Sequence, residues 1–257
     1  MKRVISYAAF AVVAYVVFLL VNFPADRAYA LVKSHLPPRI QLYGLEGSVW
    51  HGHADVAQLG QYRLAPLNWQ YRPAGLLAGR VDVKVQLERG AGRASAVVGV
   101  SPGGNIHLAD VDVAIPAGEL VQMLRLPLVQ VSGEVDARLD SVQLQASRIA
   151  ELNGTLTWNK AQVLKPQPYQ LGGLEAVFNT DNDVVKGTLR DKGGPLQVDG
   201  LVTLKPDGTY QVNANVGTRD NSQPTLNRLI NSLGRQRPGG KVAVSHSGKM
   251  PPLPVSF

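Results

Sequence analysis

Two hydrophobic periods divide this chain. From Val4 to Val21 no position carries a charge, and Asn22-Phe23-Pro24 closes the run. With a helical rise of about 1.5 Å per residue, roughly 20 apolar residues cross the hydrocarbon core of a bilayer, so the run predicts a transmembrane helix over 4–23. Beyond it the period changes to two. Val81-Asp82-Val83-Lys84-Val85-Gln86-Leu87-Glu88, Val135-Asp136-Ala137-Arg138-Leu139-Asp140 and Tyr210-Gln211-Val212-Asn213-Ala214-Asn215-Val216 place apolar and polar side chains on opposite faces. Such runs are half-buried strands, and their wet faces favour antiparallel pairing. Lys205-Pro206-Asp207-Gly208-Thr209, Ser101-Pro102-Gly103-Gly104-Asn105 and Arg89-Gly90-Ala91-Gly92 carry turn chemistry between alternating runs. The body is therefore predicted to be mainly β, an antiparallel meander of hairpins.

Helical spacing is rare in the body. Ala28, Leu31, Val32 and Leu36 suit a helix over Pro24–Leu36, a stalk that continues the anchor. Leu120, Met123 and Leu124 share one side of Ala117–Arg125. The clearest helix is Pro224–Leu233, where Leu226, Leu229, Ile230 and Leu233 follow i, i+3, i+4, i+7, with Ser222 as cap and Gly234 as stop. Lys241–Ser245 reads as a last strand. The expected organisation is a tail at 1–3, the anchor at 4–23, the stalk at 24–39, a β-rich domain at 40–248 and a Pro-rich tail at 249–257.

Weak internal similarity runs through the body. Leu45-Glu46-Gly47-Ser48-Val49-Trp50 resembles Leu152-Asn153-Gly154-Thr155-Leu156-Thr157-Trp158, and the turn after Gly99 resembles that after Gly200. The offsets are 107 and 101 residues. They fit two tandem β units, 40–125 and 126–218, and they equally fit coincidence in a chain rich in Gly and Val. Alternation alone leaves barrel, sandwich and folded single sheet open.

Composition changes this picture in two places. The chain has no cysteine, which removes disulfides, thiolate metal sites and a cysteine nucleophile. The net charge of +7 sits at the ends: residues 1–39 carry five Lys/Arg against one acid and 219–257 six against one, while 40–218 has 15 basic and 17 acidic residues. A neutral body without a recognised module excludes a nucleic-acid face; basic ends beside a membrane span suit anionic headgroups or a partner protein. Ala28-Tyr29-Ala30 has the form of a signal-peptidase site, but it stands beyond Asp26 and Arg27, and the apolar run exceeds a secretory signal's. The run is read as a retained anchor. Lys2 and Arg3 precede it and Arg27, Lys33 and Arg39 follow, so charge is nearly balanced; the short basic tail points the amino terminus to the cytoplasm and the body outward.

Candidate chemistry is sparse. His51, His53 and Asp55 alternate and would share one strand face, a set of ligand types suited to zinc or iron, though an ordinary wet face has the same pattern. No nucleophile elbow, phosphate loop or dinucleotide fingerprint occurs, and acid pairs such as Asp110/Asp112 and Asp181/Asp183 sit on polar strand faces. No cofactor is expected. Trp50, Trp69 and Trp158 are read as core anchors. The sequence predicts no enzyme.

One string carries a resemblance. Leu45-x-Gly47-Ser48-Val49-Trp50-His51-Gly52-His53-Ala54 is similar to the signature of the type II secretion system protein N (GspN) family, with signature positions Gly47, Val49, Trp50, Gly52 and Ala54. Leu67-Asn68-Trp69, Pro73-Ala74-Gly75-Leu76-Leu77-Ala78-Gly79-Arg80 and Gly239-Gly240-Lys241-Val242-Ala243-Val244 resemble further family blocks. The resemblance implies a non-catalytic inner-membrane component of the machinery that exports folded proteins from the periplasm. It also implies docking to other inner-membrane subunits and, through them, to the outer-membrane secretin. Long antiparallel strands behind one anchor resemble a second class as well, the AsmA-like periplasmic β-groove proteins that handle lipid. A closed core and an open groove demand the same alternation.

Overall fold

The computed structural model describes residues 7, 10, 12, 14, 15, 18, 19, 21–33, 40–59, 62–64, 66–89, 92–123, 130–165, 167–219, 223–232 and 240–250. Fourteen strands form one sheet, every pairing antiparallel and nearly every strand hydrogen-bonded to its predecessor. They are β1 (Ile40–Gly47), β2 (His51–Leu59), β3 (Tyr62–Leu64), β4 (Leu67–Arg72), β5 (Val81–Arg89), β6 (Gly92–Val100) and β7 (Ile106–Pro116). After these come β8 (Gln130–Gln145), β9 (Arg148–Lys165), β10 (Tyr169–Asp181), β11 (Val184–Asp191), β12 (Leu196–Leu204), β13 (Thr209–Thr218) and β14 (Val242–Lys249). Only β3 leaves the path, pairing beside β4 on β2. The two units expected at 40–125 and 126–218 are consecutive stretches of this sheet, since β7 and β8 pair from Ile106↔Leu144 to Pro116↔Glu134.

The predicted alternation becomes a two-faced sheet. On one face the register lines up Trp69, Val85 and Ala96; Leu108 and Val142; Leu156 and Ala176; then Leu204 and Tyr210. Opposite them lie Asn68 with Gln86 and Ser95, Asp136 with Thr157 and Glu175, and Asp199 with Asn215. Among the described residues the sheet has two edges, β1 and β14, and does not close. Its accessible surface of 16562 Å² for 27.6 kDa exceeds by about half the value expected of a compact monomer of that mass.

Among the described residues, three α-helices pack beside the sheet. α1 (Ala25–Val32) runs beside β1, where Tyr29 Oη accepts from the Leu42 amide at 3.2 Å. α2 (Ala117–Met123) follows β7 and packs on β7 and β8. α3 (Pro224–Ser232) lays Leu226 and Ile230 on the apolar face, against Tyr169, Leu171, Leu196, Val216, Val242 and Val244. This cluster, with Leu226, Ile230 and Val242 buried at its centre, lies where β10 and β12 begin and β13 ends. We call that the far end of the sheet; the near end holds the β1–β2, β4–β5, β6–β7, β8–β9, β10–β11 and β12–β13 turns.

β8 and β9 span 16 and 18 residues and are bent by repeated register shifts. At one shift Lys160 takes a φ of 48° and Gly133, opposite, a φ of 107°. A β-carbon on Gly133 would strike the carbonyl oxygens of Asn159 and Lys160, and the Trp158 indole donates beside it to Ser132 O at 3.1 Å. Bulges of this kind raise local twist and bend the bulged strand.

Among the described residues no helix is long and apolar enough to cross a membrane, and half of the expected anchor at 4–23 falls outside them. Within it Tyr7, Phe10, Val12, Tyr15, Phe18, Leu19 and Val21 are helical and exposed. Residues 1–6 and 251–257, most of both expected tails, also lie outside the described set.

Candidate functional site

The block Gly47–Ala54 forms the β1–β2 turn and the start of β2. Ser48, buried, closes the turn: its amide donates to His51 O at 2.8 Å. The Trp69 indole on β4 donates to Ser48 O and Val49 O, each at 3.2 Å, and so ties the turn to the sheet. Trp50 is 36% exposed and not a core residue. It lies in the turn, not in a strand, so its ring leans edge-on against Tyr71 with centroids 5.0 Å apart, and the Tyr71 amide donates to its carbonyl. Trp69 and Trp158 are half-buried on the apolar face. Gly52 and Ala54 lie on that same face, opposite Trp69 and Leu67, with Ala54 fully buried.

The polar face of β2 carries His51, His53 and Asp55, as their alternation predicts. The structure does not bring them together as a ligand set. His53 Nε2 stands 3.4 Å from Asp55 Oδ1, and His53 Nδ1 meets Asn68 Oδ1 at 2.8 Å. His51 Nδ1 instead faces Ser48 Oγ at 3.3 Å. Among the described residues no group of three His, Cys, Asp or Glu side chains is placed to hold a metal ion. A shallow cleft beside them is lined by Glu46, His51, His53, Asn68, Gln70 and Lys84.

Two features of the molecule are better suited to recognition than to reaction. One is the apolar face: Val83, Val85, Leu139, Leu152 and Val202 are only half-buried, and α3 packs only on the far end of β10 and β12–β14. The other is the β14 edge, whose outer side pairs with no strand among the described residues. Neither depends on a local motif.

The fold and its uncovered surfaces define a class, an open antiparallel β-sheet that presents one apolar face and a free strand edge. A model of the family described as type II secretion system (T2SS), protein N, matches residues 38–245, and the chain belongs to that family. The protein is a type II secretion component. It is similar to the type II secretion system protein N of Vibrio cholerae, 27% identical over 219 residues covering 83% of this chain and 86% of the relative. It is also similar to that of Aeromonas hydrophila, 26% identical over 258 residues covering 97% of this chain and all of the relative. No solved structure matches it.

Proposed function

We propose that this protein is a non-catalytic, single-pass component of the inner membrane that docks other type II secretion subunits in the periplasm and, through them, the outer-membrane secretin. Residues 4–23 anchor it, residues 1–3 stay in the cytoplasm, and the β-sheet stands outside. The anchor is supported by the exposed helical side chains of Phe10, Val12, Tyr15 and Phe18, which the rest of the chain leaves uncovered. The observation that carries the docking is the β14 edge. Its outward amides and carbonyls offer main-chain hydrogen bonds to an added strand, and its exposed Ser245, His246, Ser247 and Lys249 give polar side-chain contacts.

The half-buried apolar face favours a second reading, the AsmA-like one, in which acyl chains lie against Val83, Leu139 and Val202. In-cell photo-crosslinking decides between them. Adducts to other secretion subunits from Ser247, with Val83, Leu139 and Val202 linking only within the chain, are the result expected of a docking scaffold. Phospholipid adducts at the three apolar positions, with none to secretion subunits from Ser247, would replace docking with lipid handling.

A further inference from the structure

The β4–β5 connection is a 3₁₀ helix, Pro73–Ala78, that turns two leucines outward: Leu76 is 58% and Leu77 95% exposed. The turn is firmly built. Asp82 is buried at the start of β5 and accepts from Arg80 Nε at 2.9 and 3.2 Å. Gly75 packs on that carboxyl so closely that a β-carbon there would lie 2.5 Å from Asp82 Cγ. The Arg80 amide donates to Gly75 O and the Gly79 amide to Leu76 O, closing the loop from its other side. An apolar tip held this rigidly in water calls for something to cover it.

Its position identifies the cover. Leu76 and Leu77 occupy the near end of the sheet, with exposed Val81 and Val100 paired beside them and Val49 and Trp50 one turn away. The apolar run reaches the sheet at this same end: the Val49 amide donates to Phe23 O at 3.1 Å, and Pro24 bridges to Ser48. Only Asn22 and Phe23 separate Val21 from that bridge, a span of at most about 11 Å. Apolar groups this near the exit of a membrane helix lie within reach of the headgroup and acyl boundary, where apolar faces bury to roughly 5–10 Å.

We infer that the Leu76–Leu77 turn is a membrane-docking element that enters the surface of the bilayer holding residues 4–23, so that the sheet stands with its near end on the lipid. This rests on the anchor proposed above. With the tip buried, the near end of the apolar face adjoins lipid, while α3 covers the far end of β10 and β12–β14.

The chain has no cysteine, so single cysteines carry a spin label without background. Labels at Phe10→Cys, Leu77→Cys and Glu88→Cys in the full-length protein, reconstituted into phosphatidylethanolamine–phosphatidylglycerol vesicles, are compared for collision with a water-soluble nickel chelate and with oxygen. Glu88 is exposed at the far end of the strand that begins at Val81. The expected result is several-fold less nickel collision at Leu77 than at Glu88, with the oxygen preference of Phe10. A water-exposed Leu77 beside a lipid-exposed Phe10 would overturn the inference and leave the anchor standing. A water-exposed Phe10 would overturn both. Protection of Leu77 that appears only after other secretion subunits are added would show a protein in place of the bilayer and overturn it as well.

Discussion

Gly52 faces Trp69 across the β2–β4 pair so closely that any β-carbon at position 52 would run into the indole ring at Cζ2. The indole in turn holds the β1–β2 turn through Ser48 O and Val49 O. A bare backbone at Gly52, a broad ring at Trp69 and a tight turn at Ser48 are therefore one device. The glycine in the G-x-V-W-x-G string is a packing requirement.

Gly52→Ala should displace the Trp69 ring and loosen the turn, since Glu46 O also blocks the space on the other side. The expected cost is about 1–3 kcal/mol, the usual range for overpacking. Chemical denaturation followed by tryptophan fluorescence measures it, and an unchanged midpoint would show that the ring moves freely.

Trp158 works in a comparable way at the β8–β9 bulge, donating to Ser132 O. Trp158→Phe keeps an aromatic ring but removes the donor and part of the indole's volume, so the loss should be at least about 1 kcal/mol. The same denaturation assay reads it.

The Arg80–Asp82 pair beneath the leucine tip combines a side chain 34% exposed with one 9% exposed. Arg80→Ala strands a largely buried carboxylate and should cost about 3 kcal/mol, as breaking buried pairs does. Adding Asp82→Asn to that variant should recover part of the loss. If the double variant is no better than the single, the stranded charge is not the cause.

Asp207 lies in the β12–β13 turn, and its carboxyl is held below the ordinary 3.8 chiefly by the Thr209 amide, then by the Thr209 hydroxyl. These bonds are 2.8 and 2.9 Å long. A carboxylate whose pKa is depressed on folding contributes stability that is fully present above the unfolded value and lost as pH falls through the folded one. The stability difference between the protein and Asp207→Ala should therefore be constant near neutrality and shrink only below about pH 3.8. Denaturation midpoints of both, taken along a pH series, test the sign; a difference that grows towards acid would refute it.

Much of this sheet was legible from residue order. Val81–Glu88 alternates cleanly and is β5; Pro206-Asp207-Gly208 is the β12–β13 turn, with Lys205 N bonded to Thr209 O and Gly208 at a φ of 84°. Ser101–Asn105 closes the β6–β7 turn as its Pro-Gly-Gly predicts. Leu226 and Ile230 occupy the inner side of α3 as their spacing requires, while Ser222, Leu233 and Gly234 lie outside the described residues. The last strand extends to Lys249, beyond the expected Lys241–Ser245, because partners at Gln211, Tyr210 and Thr209 carry the ladder on through residues without alternation.

The long strands were less readable. Each bulge in β8 and β9 shifts the alternation by one residue, so β9 reads as fragments around Gly154 and Lys160 although it is one strand. The candidate site fared the same way. A shared face for His51, His53 and Asp55 follows from period two, but the turn of His51 towards Ser48 depends on a cross-loop contact that no local pattern encodes. Whether the apolar face is covered depends on sheet curvature and helix placement, and these are set across the whole chain.

Because nearly every strand pairs with the one before it, construction of the sheet can follow the order of synthesis. Each new strand finds its partner already in place a few residues upstream, which keeps loop closure short and adds one ladder at a time. The β7–β8 and β13–β14 steps must wait for longer intervals, which contain α2 and α3. The edge left at the finish thus belongs to the last strand made among the described residues, with no later one among them to occupy it.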